Sequence, residues 1–172
     1  MLSLLANSES VTAVELNPII VDIVRSYGDR TGNLYSRPDV NLFLDEGRNF
    51  ISRSPDRFDL IILGFVDSWA SVSSGGLALS ENYLYTTEAF EDYFAHLTDR
   101  GAVVFIRWQT DIPRLVTTGA AMLERRGISA RDVGKYISIL LEEEPRPHEP
   151  AAMIYMLRRM PFTEQEAMKL RR

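Results

Sequence analysis

Val11-Thr12-Ala13-Val14-Glu15-Leu16-Asn17-Pro18 is the stretch on which the fold reading turns. Its first five residues are rich in β-branched side chains and predict a strand. Asn17 is a favoured helix cap and Pro18 a favoured first helical residue. Ile20, Ile23, Val24 and Tyr27 then recur at helical spacing until Gly28, so the segment reads as strand, tight turn and helix.

The cycle repeats downstream. Val40-Asn41-Leu42-Phe43-Leu44 predicts a short strand, and Asp45 opens a helical stretch to about Ser52. Arg57-Phe58-Asp59-Leu60-Ile61-Ile62-Leu63 has an apolar core without alternation, which marks a strand covered on both faces, as in parallel sheets. A long Ser- and Gly-rich loop runs from Gly64 to about Tyr85. Thr86 then caps a helix whose Phe90, Tyr93, Phe94 and Leu97 form one apolar stripe. Gly101 to Arg107 predicts the next buried strand, and Pro113 to Arg126 a helix stopped by Gly127. Two strands near Lys135 to Leu141 and Met153 to Leu157 flank a Pro-rich loop as a possible hairpin. Alternating strands and helices predict an α/β fold with a mostly parallel sheet. The last strand is expected to be antiparallel, because a loop rather than a crossover helix joins the final two.

The 172 residues favour one domain, read as 1–160 with a helical tail over 161–172. Nineteen Lys and Arg against 24 Asp and Glu give a net charge of −5, so nucleic acid is not an expected partner. The absence of cysteine excludes disulfides, thiol catalysis and Cys-ligated metals. His96 and His148 are too far apart for a helical metal pair, and no metal site is expected. No apolar run reaches the ~20 residues that span a bilayer. The start lacks the basic flank and long apolar core of a signal peptide. The expectation is a cytoplasmic chain with no membrane insertion of its own.

In open α/β sheets ligands bind beyond the carboxyl ends of the strands. Glu15 ends the first predicted strand, Asp45 follows the second, and Asp67 lies four residues past the third. Glu15 there can accept hydrogen bonds from both hydroxyls of a ribose, or simply sit as a surface acid near a helix start. Asp45 can accept from an adenine amine or cap a helix. Asp67 can steer or deprotonate a nucleophile, or form a turn. Trp69 and Tyr83, in the long loop, read either as a lid or as aromatics packed back on the body. Arg107-Trp108 at a strand end can line a pocket or close the core.

Four segments in order resemble the spermidine synthase-like branch of the class I S-adenosylmethionine-dependent methyltransferase superfamily. They are Val11 to Pro18, Pro38 to Phe50 (Pro-Asp-Val-Asn-Leu-Phe-Leu-Asp-Glu-Gly-Arg-Asn-Phe), Phe58 to Leu63, and Leu84 to Phe94 (Leu-Tyr-Thr-Thr-Glu-Ala-Phe-Glu-Asp-Tyr-Phe). The likeness is nearest to bacterial members that carry this domain beside membrane segments. It implies a Rossmann-like fold and a small nucleotide ligand, S-adenosylmethionine or its decarboxylated form. By the resemblance, Glu15, with Leu16 beside it, binds the ribose hydroxyls, and Asp45 the adenine amine. Glu46 and Gly47 lie along the adenine, and Gly64 to Trp69 sit at the reactive end, with Asp67 as the catalytic acid and Tyr83 and Tyr85 toward the substrate. The family's glycine-rich loop has no counterpart, since Met1-Leu-Ser-Leu-Leu-Ala6 resembles the helix that follows it. The resemblance therefore implies a domain truncated at its amino terminus, weakly active and prone to self-association. Where polyamine synthases carry a paired-Asp motif, this chain has Gly64-Phe-Val-Asp-Ser68, so the first acid is lost.

Two other classes of function remain. A non-catalytic scaffold, as part of a larger protein with or without a membrane attachment, would keep the fold without the chemistry. A nicotinamide oxidoreductase accounts for Glu15, but not for Asp45, the Asp67 loop and the Thr86 helix together, and no Gly-x-Gly-x-x-Gly occurs.

Overall fold

The computed structural model describes residues 8–65, 82–141 and 151–170, and the chain divides into two compact units, residues 1–54 and 55–172.

In the first unit β1 (Val11–Glu15) pairs in parallel with β2 (Val40–Leu44), Val11 opposite Val40 and Glu15 opposite Leu44. Helix α1 (Pro18–Ser26) connects them. Asn17 caps it as its sequence predicts, its Oδ1 accepting the Ile19 N–H at 2.9 Å, and Pro18 occupies the first turn, where a missing N–H costs nothing. Val21 is the buried residue of α1, while Ile19, Ile20, Ile23 and Tyr27 are exposed. Helix α2 (Gly47–Arg53) corrects the reading of Asp45 as its cap. The cap is Glu46, whose carboxylate accepts from Arg48 N–H at 3.0 Å and Asn49 N–H at 2.9 Å. Asp45 instead closes the preceding turn by accepting the Glu46 N–H at 2.7 Å.

The second unit is built on a four-stranded sheet in the order β3 (Phe58–Gly64), β4 (Leu97–Trp108), β6 (Ala152–Arg158), β5 (Ile137–Leu141). β3 and β4 are parallel, and β6 is antiparallel to both its neighbours, as the short connection between the last two strands requires. Helices α3 (Thr87–Ala95) and α4 (Ile112–Arg125) follow β3 and β4. Their Phe90, Tyr93, Leu115, Met122 and Leu123 are buried along with Val103, Phe105, Tyr155 and Leu157 of the sheet. Phe90 stacks on Phe105 with centroids 4.9 Å apart, and Tyr155 meets Phe105 edge-on at 5.9 Å.

β4 begins four residues earlier than its apolar run suggests, and Leu97 belongs to it rather than to the α3 stripe. Phe58 pairs with Leu97 across a register shift, and Gly101 makes that possible: a Cβ there would lie 2.8 Å from the Phe58 carbonyl oxygen. A short helix α5 (Glu164–Leu170) ends the described residues, within the predicted tail. Thr163 and Glu166 cap it reciprocally, and Arg158 reaches Glu166 at 2.8 Å with its guanidinium over the Phe162 ring.

All six predicted strands form, but in two sheets; among the described residues β1 is laddered only to β2 and β3 only to β4. Among the described residues no helix is long and apolar enough to cross a membrane.

Candidate functional site

The chemistry-bearing residues of the first unit gather at the carboxyl ends of its two parallel strands. Glu15 is the last residue of β1, and its Oε1 accepts the Asn17 N–H at 2.9 Å. One sequence feature, Glu-Leu-Asn-Pro, thus fixes both the helix start and the acid's orientation. Oε2 has no hydrogen-bond partner among the described residues. Burial, and then the Glu15 charge, raise the Tyr35 phenol above its ordinary value, which puts Tyr35 within the carboxylate's field. Leu16 is 69% exposed. One strand over, Asp45 is more heavily committed: Oδ1 holds the Glu46 N–H and Oδ2 an ion pair with Arg53. The Glu46 carboxylate is spent on the cap, whereas a side chain at Gly47 would meet open space.

The second unit has its own strand ends. Gly64 ends β3, and Phe65 follows with φ 42°, a left-handed conformation that costs a non-glycine residue of order 1 kcal/mol. Its N–H still donates to the Ile106 carbonyl at 3.3 Å. Its ring lies 4.7 Å from that of Trp108, at the end of the neighbouring parallel strand, and is 41% exposed. Beside Trp108, Arg107 is bound to Asp111 through two nitrogens, at 3.0 and 2.9 Å. Arg107 also donates to Tyr85 Oη at 3.3 Å and lies 5.1 Å from that ring's centroid.

Tyr85, expected toward the substrate, is buried in a 3-10 turn (Asn82–Tyr85), with its ring 6.0 Å from Phe105. Its role is to seat Arg107. Tyr83 is half-buried in the same turn. His96 ends α3 half-buried, with Nδ1 2.7 Å from the Asp92 carbonyl. Asp67, Trp69 and His148 lie outside the described residues. The Phe65 and Trp108 pairing escaped the sequence, where only the aromatic at the end of an apolar strand hinted at it. Among the described residues no cluster of His, Asp and Glu could hold a metal ion.

No family profile matches the chain. It is 28% identical over 96 residues to a polyamine aminopropyltransferase of Clostridium perfringens, covering 56% of this chain and 31% of that protein. It is 25% identical over 154 residues to the polyamine aminopropyltransferase of Yersinia pestis, covering 70% of this chain and 52% of the relative. The chain thus spans a third to a half of the length of these relatives. Among solved structures it superposes on spermidine synthase from Thermotoga maritima with a TM-score of 0.62 at 14% identity, covering 95% of this chain and 52% of that one. A spermidine synthase in complex with the transition-state analogue AdoDATO gives a TM-score of 0.59 at 13% identity, with 95% and 51% covered. In sequence the chain is similar to polyamine aminopropyltransferases at low identity, and its fold is that of the spermidine synthase-like branch of the class I S-adenosylmethionine-dependent methyltransferases.

Proposed function

We propose that the chain is a nucleotide-binding transferase domain over 1–160 that takes S-adenosylmethionine or its decarboxylated form. The observation that carries this reading is Glu15, a carboxylate held at a parallel strand's carboxyl end with one oxygen fixed by Asn17 and the other without a partner among the described residues. That donor set fits a ribose, whose two hydroxyls need an oriented acceptor. Asp45 contributes the adenine end, sharing its oxygens with Arg53 and the Glu46 amide, and the open surface at Gly47 gives a flat base room. Leu16 and Glu46 flank these two acids. Gly64 opens the reactive end, with Asp67 to take a proton.

When bound, the sulfonium supplies a carbon already attached to a good leaving group. The chain's task is then to align an acceptor, exclude water and accept the acceptor's proton. Gly64, at the position of the first acid of the paired-Asp motif, leaves less carboxylate for a diamine, so methyl transfer fits this chain at least as well as aminopropyl transfer. Turnover by these residues alone is weak. No nucleic acid and no membrane takes part, and a cytoplasmic setting suits the ligand.

Self-association is part of the reading. β3 carries a core-type apolar run, with Leu60 42% exposed, yet it has one free ladder edge among the described residues, and such edges recruit strands. A second reading, a non-catalytic partner-binding module, is favoured by the exposed Ile19, Ile20 and Ile23 on α1. The experiment is a radiolabel transfer assay with methyl- and aminopropyl-labelled donors, alongside sedimentation velocity. Slow transfer by an oligomer supports the first reading. Donor binding absent at millimolar concentration, with oligomers or captured partners present, supports the second.

A further inference from the structure

We propose that the outer edge of β5 is a self-docking surface, on which a second copy of this chain adds its own β5 antiparallel across a twofold axis centred on Ile139. This rests on the self-association reading above and places the contact on a strand other than β3. Among the described residues β5 ends its sheet, with β6 as its one neighbour. The ladder to β6 fixes which of its backbone groups are left over. The Arg158 N–H donates to the Tyr136 carbonyl at 2.9 Å, and on the far side of β6 the Arg159 N–H donates to the Gly101 carbonyl at 3.0 Å. Ser138 stands opposite Met156 and Leu140 opposite Ile154, so the alternation of an antiparallel ladder turns the amides and carbonyls of Ser138 and Leu140 to β6. Those of Ile137, Ile139 and Leu141 point the other way, where no backbone partner meets them among the described residues.

This edge carries none of the usual devices against strand addition. Ile137-Ser138-Ile139-Leu140-Leu141 has no charge, no proline and no register shift in its ladder. The side chains of Ile137, Ile139 and Leu141 share one face, and Ile139 and Leu141 are 39% and 65% exposed. The fitting occupant is an apolar strand of similar length, and β5 itself meets that description. Two copies centred on Ile139 set Ile139 beside its counterpart, and Ile137 of each beside Leu141 of the other. Every outward backbone group then finds a partner, in about six hydrogen bonds, and each exposed side chain is covered by its own kind. Charge selects the antiparallel orientation. Arg131, Asp132 and Lys135 precede the strand with two cations against one anion, and Glu142-Glu143-Glu144 follow it in the chain. Antiparallel copies bring unlike ends together, whereas parallel ones would set like charges side by side. A pairing of this size buries less than the ~1,200 Å² of a stable interface, so the dimer forms only as concentration rises.

The chain has no cysteine, so single introduced thiols report the pairing without background. Ile139→Cys brings two thiols to the twofold axis, where a hydrogen-bonded pair separates Cα atoms by ~5.5 Å, within disulfide reach. Leu141→Cys, equally at the surface, sets its two thiols about 13 Å apart along the strands. Under mild oxidation of the full chain, Ile139→Cys is expected to cross-link at least ~10-fold faster than Leu141→Cys. Ile139→Pro removes an outward N–H that the β6 ladder does not use, and it should move the dimer midpoint in sedimentation velocity to at least ~10-fold higher concentration with an unchanged circular dichroism spectrum. Should that variant fail to fold, Ile139→Lys, which places a charge at an exposed position of the edge, decides in its place. Association that persists in these variants, with equal cross-linking from positions 139 and 141, overturns the β5 contact and leaves self-association through β3 standing. A wild-type chain that stays monomeric to about 1 mM overturns both.

Discussion

Gly119 and Tyr155 claim one space: a Cβ on Gly119 would stand 2.1 Å from Tyr155 Oη and 3.4 Å from the Tyr155 ring. The glycine in mid-helix α4 is there to admit the phenol of β6, which is fully buried and makes no hydrogen bond among the described residues. Burial raises that phenol far above its ordinary value, so it stays protonated throughout the working pH range. Tyr155→Phe should therefore stabilise the fold by about 1 kcal/mol, because a desolvated hydroxyl without a partner is removed. Gly119→Ala should destabilise by about 1–3 kcal/mol through overpacking. Much of that loss should return in the double variant, and the urea midpoints of the four proteins measure the coupling.

The clasp of α5 is a pH-dependent element. The Thr163 N–H and hydroxyl, and then Arg158, hold Glu166 down to about 2 from its ordinary 4.5. A lowered folded value means that the contribution is fully present above the unfolded value and is lost as pH falls through the folded one. The urea midpoint of the wild type should exceed that of Glu166→Gln by a constant amount above about pH 4.5, and the gap should close toward about pH 2. A gap that instead widened on acidification would contradict the assignment.

Helix α3 rests on its cap. Thr86 Oγ1 accepts the Ala89 N–H at 3.2 Å, and Ala89 and Phe90 behind it are fully buried. Thr86→Ala should cost about 1 kcal/mol, while Thr86→Ser should cost a few tenths, since the accepting oxygen is kept. Thermal unfolding of the two variants distinguishes cap loss from loss of the methyl group.

Much of this was legible in the residues, for identifiable reasons. Asn17-Pro18 and Thr86 mark helix starts because capping is local chemistry, and Leu60 to Leu63 reads as a parallel strand because burial on both faces removes alternation. What depends on partners distant in sequence was not legible. Asp45 and Glu46 are both competent caps, and only the turn geometry awards the role to Glu46. Tyr85 looks like a loop aromatic until Arg107, 22 residues on, is seen against it. The division of six strands into two sheets depends on which backbone edges meet, and the left-handed Phe65 has no signature in a residue type that avoids that conformation.

The account's central claim is that Glu15 grips a ribose of an S-adenosylmethionine-type ligand. Isothermal titration of the full chain and of Glu15→Gln with S-adenosylmethionine, its decarboxylated form and NAD tests it most directly. The expected result is binding of a sulfonium nucleotide but not NAD, weakened by about 1.5–3 kcal/mol in Glu15→Gln, with the melting temperature nearly unchanged. Wild-type binding of NAD alone, or a Glu15→Gln variant that binds the sulfonium nucleotide as tightly as the wild type, would contradict the claim.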